Sequence, residues 1–419
     1  MSADDPVVLV SCDTHVGPRL VEDLRPYCPA DHLDAFDRFA ATQTGFGSGL
    51  IPDHPNLHTA GHYDSAARLA DYDRDGVAAG VLFHGSQNGE PLPFRTFTFG
   101  GPDASFDPEL EAVGLHVYNR WLVDFVAEAP DRHVGLAHIP AWDVDASVAE
   151  VEWAHDAGLR AVNFPGMRPG VILEYSDRAW EPFWSVCEER GLPLATHVGA
   201  ANVQVATGPE AIMISTMEGG GWMARRAMWW MIFAGVFERH PGLQLVITET
   251  PGNWWPATAA ELDSIYDMTA VKGRAVLPAL FEDQVPRHPS EYMASNVYFG
   301  ASFTSTAEAE TAIMNGVDSR LLWGSDYPHV EGTFVNPEGR DLPSVTRCAL
   351  RNTFSEIPEA RMRDMVGGNA IRAYGLEAAA LHRIAQDIGA PSAGEIATPI
   401  DAVPAGASTH AFRTTGVWT

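Results

Sequence analysis

The stretch LLWGSDYPH, residues 321–329, decides how the rest of this chain is read. An apolar run ends in Gly324 and Ser325 and meets a carboxylate, Asp326, followed by Tyr327, Pro328 and His329. A strand that runs out of a core into an ionisable residue either ends in water or delivers that residue to a site that compensates its burial. Taken alone, Asp326 fits a solvated strand end or a helix N-cap.

Seven other β-branched or aliphatic runs change the balance. They are PVVLVSCD from Pro6, GVAAGVLFH from Gly76, HVGLAHIP from His133, LRAVNFPG from Leu159, LPLATHVG from Leu192, LQLVITET from Leu243 and NVYFGAS from Asn296. Longer stretches of helical periodicity separate them, at 109–129, 145–157, 178–190, 222–239, 254–271 and 305–316. Asp145 and Asp177 read as N-caps, and Gly158 and Gly191 as helix stops just ahead of the next strand. Alternating β and α units imply a parallel sheet, and eight of them predict a single closed (β/α)8 barrel of TIM type.

The barrel is expected over residues 1–376, with 377–419 as a C-terminal extension. Two inserted connections depart from the minimal barrel, 85–108 after the second strand and 199–221 after the fifth. Both belong on the catalytic face, as substrate lids or subunit contacts. The extension opens with a helical piece, LHRIAQDIGAP, and its tail GASTHAFRTTGVWT is apolar enough to dock on a neighbouring subunit.

The 419 residues are 46% hydrophobic and 20% charged, an ordinary globular composition. With 27 basic against 55 acidic residues the formal charge is -28, which repels phosphate backbones and anionic membranes and argues against nucleic acid as a partner. Cys12, Cys28, Cys187 and Cys348 lie far apart in no metal-binding or disulfide spacing, which fits a reduced cytoplasmic setting. The opening MSADDP lacks the basic flank and apolar segment of a signal peptide. The longest apolar run, WWMIFAGVF at 229–237, is too short to span a membrane and reads as a buried helix.

Catalytic side chains of such barrels project from the C-terminal ends of the strands into one mouth. The first strand ends in Asp13 and His15, which the two-residue strand period puts on one side. The fifth ends in His197, the sixth in Glu249 and the eighth in Asp326. Each has an ordinary structural reading: a core histidine, a turn, an N-cap, or a partner for Arg225. Together they form an oxygen and imidazole donor set without thiolates, suited to zinc, manganese or iron, and a divalent cation would offset the repulsion of the crowded carboxylates. Trp254, His84, His138 and His329 follow strand ends and are candidates for the pocket wall, while Arg225 offers paired donors for a substrate carboxylate.

The chain resembles the amidohydrolase-related family of the metal-dependent amidohydrolase superfamily, which includes aminocarboxymuconate semialdehyde decarboxylase and the aromatic acid decarboxylases. The matching pieces are VSCDTHVGP, the stretch from Asn119 to PDRHVGLAHIP, SDRAWEPFWSVCEERGLPLATHVG, FERHPGLQLVITET, WGSDYPH and GGNAIRAYGL, in order up to about Leu376. The resemblance implies that Asp13 and His15 stand for the family's first-strand metal pair, His197 for its fifth-strand ligand and Asp326 for its eighth-strand carboxylate. Asn163 occupies the place where dinuclear relatives carry a bridging lysine or glutamate, which implies one divalent ion, zinc or manganese. A homodimer is the family-like assembly.

Family decarboxylases carry a histidine after the sixth strand, where this chain has Glu249. The leading expectation is therefore hydrolysis of a small organic molecule by metal-activated water, with Asp326 taking the proton, Glu249 as second acid/base or ligand, and His329 beside them. Non-oxidative decarboxylation of an aromatic or muconate-type acid, with Glu249 as proton donor, is the alternative. A non-catalytic binding scaffold is the third reading.

Overall fold

The computed structural model describes residues 4–43, 53–95, 106–166, 168, 170–197, 223–250, 252–270 and 284–414. All eight expected strands form: β1 Leu9–Val16, β2 Val77–His84, β3 His133–His138, β4 Ala161–Asn163, β5 Leu194–His197, β6 Leu245–Thr248, β7 Val297–Gly300 and β8 Leu321–Leu322. Each pairs in parallel with the next, in the order β1 to β8. The ring closes because the chain beyond β8 runs back along β1, with Cys12 N donating to Trp323 O, Asp326 N to Asp13 O and His15 N to Tyr327 O at 2.9, 2.9 and 2.6 Å.

Alternation along the strands sorts the apolar residues into two layers. Val10, Ala79, Val81, Val134, Leu136, Val246 and Leu322 fill the barrel interior in one buried cluster. Leu194, Leu245, Val297 and Leu321 belong to a second cluster, packed against Trp184, Phe237 and Met293 of the surrounding helices. Against β2, the four residues of β1 from Ser11 to Thr14 stand opposite three of the partner, Gly80 to Leu82, a bulge that re-aims the end of the strand.

The expected helices appear with local differences. The cap of helix Val144–Asp156 is Asp143, whose side chain accepts from Ala146 N, so Asp145 falls inside the first turn instead. Asp177 does cap, accepting from Ala179 N, and Gly158 and Gly191 take positive φ just beyond their helices. The helix expected over 222–239 is broken: Arg226–Phe233 and Val236–Arg239 meet at Gly235, where φ is +68°.

The connection from β1 to β2 runs through residues 17–76 and carries helices Leu33–Thr42 and Ser65–Asp75, an insertion that the two expected long loops did not include. Of those two loops, 96–105 and all of 199–221 lie outside the described residues. The described part of the C-terminal segment, up to residue 414, packs on the barrel of its own chain. Ala411 and Phe412 fill an apolar recess with Phe303, Val335, Val345 and Ala349, and Asn352 Nδ2 donates to Phe412 O at 3.4 Å. Ala411 and Phe412 are covered locally, because a tethered segment reaches a nearby recess at little entropic cost, while Val417 and Trp418 lie outside the described residues. The four cysteines are free thiols, and no helix among the described residues is long and apolar enough to cross a membrane.

One glycine is required for closure. A Cβ on Gly324 would stand 2.1 Å from Ala301 O and 2.7 Å from Asp13 Cβ, so the segment after β8 can lie between β1 and β7 only without a side chain there. Gly324→Ala is expected to destabilise the protein by about 2 kcal/mol, read from the urea midpoint. An unchanged midpoint would show that this contact does not constrain the closure.

Candidate metal centre

Asp13, His15, Glu249, Asp326 and His329 are buried at the C-terminal rim of the barrel, and His197 is half-buried beside them. Asp326 is 0% exposed, so the reading in which it ends a strand in water is excluded. His15 Nε2 lies 3.1 Å from Asp13 Oδ1 and 3.3 Å from Asp326 Oδ1. His197 Nε2 is also 3.3 Å from Asp13 Oδ1, while its Nδ1 is 3.4 Å from Glu249 Oε2. The predicted donors thus fall into two overlapping groups that share His15: Asp13, His15 and His197, and then His15, Asp326 and His329, each with ligand atoms within 4.8 Å of one another.

Local geometry explains why these carboxylates point inward. Glu249 has φ +57° and Asp326 φ +55°, a left-handed conformation that costs an L-residue roughly 1–2 kcal/mol and turns the side chain back over the barrel. Ser11 Oγ and Ser325 Oγ are 2.9 Å apart, and Ser11 Oγ accepts from Ser325 N at 2.8 Å, fastening β1 to the segment that carries Asp326. Ser302 Oγ donates to Asp13 Oδ2 at 2.7 Å, leaving Oδ1 to face the two imidazoles.

The hydrogen bonds select the tautomers. His15 Nδ1 lies 3.3 Å from His84 O, a carbonyl that can only accept, so Nδ1 carries the proton and the Nε2 lone pair faces carboxylate oxygens. His329 Nε2 likewise meets Gly85 O at 2.8 Å, which turns Nδ1 towards Asp326 Oδ1 at 2.9 Å. His15 Nε2, His329 Nδ1 and both carboxylate oxygens of Asp326 are buried without a hydrogen-bond partner. Lone pairs that face carboxylates in a dry pocket repel unless a proton or cation lies between them. Two donors about 2.1 Å from one ion stand about 3.0–3.4 Å apart at octahedral to tetrahedral angles, so the spacings of His15 and His197 from Asp13, and of His15 from Asp326, suit donors to a divalent cation.

Titration follows from the same crowding. Burial alone would push the Asp13 carboxyl up, but the charges and hydrogen bonds of His197 and His15 hold it well below the usual range. Glu249 goes the other way: burial, joined by the charges of Asp326, Asp13 and Glu331, raises it well above an ordinary glutamate, against the opposing charge of His197. Burial would lower His329, yet the negative charges of Asp326 and Glu331 push it up to about 10. The His329 ring stacks on His15 with centroids 3.9 Å apart.

Four pocket candidates are placed differently. The His84 ring turns away from the donor set onto Tyr118, 5.3 Å between centroids, and the part of His84 that meets the site is its carbonyl. Strand alternation instead brings Phe83 inward, with its ring 4.8 Å from His197 and 6.0 Å from His15. His138 Nε2 accepts from Asn163 Nδ2 at 2.9 Å, and burial holds both His84 and His138 below the ordinary histidine range, so they act as neutral imidazoles. Arg225 and Trp254 stand together, the guanidinium 4.8 Å from the indole centroid, and burial lowers the arginine.

Sequence reasoning missed Ser302, Glu331 and Gln87. Glu331 has a ligand atom within 4.8 Å of those of Glu249 and Asp326, and Gln87 Nε2 donates to both of its oxygens at 3.0 and 2.9 Å. The position of Glu331, two residues beyond His329, was the only available signal for it. Nothing in the sequence marks a serine after β7 as a partner of Asp13.

The sequence model of the amidohydrolase family matches residues 100–376, well over half of the chain. No curated protein matches it. Among solved structures, 5-carboxyvanillate decarboxylase LigW from Sphingomonas paucimobilis is 21% identical over 88% of this chain and 100% of its own, with a TM-score of 0.58. An amidohydrolase from Mycobacterium avium subsp. paratuberculosis K-10 is 17% identical over 88% and 99%, with a TM-score of 0.61. A dihydroxybenzoic acid decarboxylase from Polaromonas sp. JS666, solved with manganese and the inhibitor 2-nitroresorcinol, is 18% identical over 90% and 99%, with a TM-score of 0.57. At these identities the likeness to the solved structures is one of fold. The match of the family model, on a barrel whose rim gathers carboxylates and imidazoles from β1, β5, β6 and β8, makes this chain a member of the amidohydrolase family.

Proposed function

We propose that the chain is a metal-dependent hydrolase of a small organic molecule. The observation that carries this reading is the set of buried, mutually facing lone pairs on His15 Nε2 and Asp326, beside Asp13 and His197, at spacings that suit one divalent ion. Manganese or zinc suits these donors, and the manganese bound by the Polaromonas decarboxylase favours manganese. Bound there, the ion supplies a Lewis acid that polarises a carbonyl and lowers the pKa of water.

The chain's own groups supply the proton traffic. Asp326 takes the proton of the attacking water. Glu249, held protonated by burial and by neighbouring carboxylates, gives one to the leaving group. His329, cationic beside Asp326, stabilises the developing negative charge. Phe83 gives the mouth an apolar wall, and Arg225 with Trp254 binds a carboxylate or aromatic portion of the substrate. The active form is a cytoplasmic homodimer.

A second reading, non-oxidative decarboxylation, is favoured by the two decarboxylases of like fold and by the neutral Glu249. In it the substrate carboxylate leaves as CO2 while Glu249 protonates the carbon that loses it. Assay of the manganese-loaded protein separates the two. Acid formation from lactones or amides without CO2 supports hydrolysis, and CO2 from hydroxylated aromatic or muconate-type acids selects the second reading. A protein that retains no metal and has neither activity would sink both.

Asp326→Asn is expected to leave the melting temperature within a few degrees and to lower kcat by about a thousandfold. Activity within a few-fold of the parent would remove the proton-transfer role. His15→Ala and His197→Ala are each expected to reduce a stoichiometric metal content, measured by inductively coupled plasma mass spectrometry, to a small fraction; full retention by both would dissolve the site.

The third prediction concerns pH. A histidine raised from 6.5 to about 10 on folding adds stability that is complete below its unfolded pKa and is lost as the pH climbs through the folded one. The urea midpoint of the metal-free protein should therefore fall between pH 6.5 and about 10, and fall less in His329→Gln. Equal slopes in the two proteins would mean that His329 is not cationic in the fold.

A further inference from the structure

The C-terminal segment ends beside the residue that orients a metal donor. Arg413 Nη2 pairs with Glu308 Oε2 at 2.7 Å, the arginine half-buried and the glutamate buried, and also donates to Phe303 O at 3.4 Å. Glu308 in turn accepts from Ser305 N at 2.7 Å and from Ser305 Oγ at 3.1 Å, and its other oxygen accepts from Gly252 N at 3.1 Å. One carboxylate thus ties together the tail, the exit loop of β7 and the exit loop of β6. Ser302, which donates to Asp13 Oδ2, lies in that β7 loop next to Phe303. Thr353 Oγ1 donates to Thr304 O at 2.9 Å, and Ala307 N donates to Thr414 O at 3.3 Å, so the loop is held from both sides. Thr250, Gly252, Ser302, Thr304, Glu308 and Arg413 line one small cleft, which puts the strap and the orienting serine on the same space.

We propose that the C-terminal strap is a positioning element of the metal centre: Arg413, through Glu308 and the β7 exit loop, sets Ser302 so that one oxygen of Asp13 is occupied and the other is free for the cation. This rests on the assignment of Asp13 as a metal donor. The route runs through Ser302, since Arg413 bonds Glu308 and the Phe303 carbonyl, and Ser302 is the neighbour of Phe303 that donates to Asp13. A carboxylate with one oxygen engaged presents the other in a fixed direction, and the loss of such an orienting bond costs about 10–100-fold in metal affinity.

The test is a double-mutant cycle on manganese affinity, measured by isothermal titration of metal-free full-length protein. Ser302→Ala is expected to weaken binding about tenfold or more, and Ser302→Thr, which keeps the hydroxyl, to restore most of it. Arg413→Met is expected to weaken binding several-fold, Arg413→Lys to stay near the parent, and Ser302→Ala with Arg413→Met to be no weaker than Ser302→Ala alone. Asn352→Ala, which removes only the bond to the Phe412 carbonyl, serves if Arg413→Met does not fold, with a smaller shift of the same sign. Parent-like affinity in the Arg413 or Asn352 variant, or losses that multiply in the double variant, would overturn the proposal. A parent protein that binds no manganese would instead overturn the metal assignment on which it stands.

Discussion

The constraint on which this molecule turns is the burial of like charge. Asp13 and Asp326 are fully buried, Glu249 nearly so, and all three face imidazole nitrogens at 2.9–3.4 Å. A core of this polarity is unfavourable unless protons or a cation are shared within it. The arrangement resolves the strain unequally: Asp13 is held ionised by two histidines, Glu249 is held protonated by its burial and neighbours, and His329 carries charge next to Asp326. Two carboxylates in one small volume, Asp13 and Glu249, are thereby pushed in opposite directions, the pattern that separates an acid from a base.

Much of the surrounding structure serves to keep these groups where they repel. Arg68, fully buried in helix Ser65–Asp75, donates to the carbonyls of Gly61 and His15 and to the hydroxyls of Thr14 and Tyr72, and its guanidinium lies 4.6 Å from the Tyr327 ring centroid. It therefore joins the long β1–β2 insertion to both β1 and the β8 exit, the segments that carry the facing carboxylates and imidazoles Asp13, His15, Asp326 and His329. From the same insertion, Asn56 Nδ2 donates to the carbonyls of His329 and Phe334 at 3.1 and 2.9 Å. The insertion is thus a brace for the β8 exit, a use different from the lids expected on the opposite connections.

The eight strands were legible because their apolar runs are short, evenly interrupted and separated by helical periodicity, and a strand buried on both faces has few sequences open to it. Asp13, His15, His197, Glu249 and Asp326 were legible because strand ends in a barrel converge by construction. His84 was misplaced because a one-residue step along a strand turns the side chain to the other face, and only the register of β2 shows that Phe83, not His84, points into the mouth. Ser302, Gln87 and Glu331 were hidden because their partners are distant in sequence and a serine or glutamine in a loop has no periodic signature.

By itself the sequence determined the parallel barrel, the strand ends that bear ionisable residues and the acidic character of the whole, since these depend on local pattern and composition. Tertiary structure alone decided which oxygen of Asp13 is free, which nitrogen of His15 faces the carboxylates, and which recess takes Ala411 and Phe412. Those outcomes rest on hydrogen bonds and contacts between segments as much as 289 residues apart, as between Asp13 and Ser302. Their angstrom-scale geometry exists only once the ring has closed.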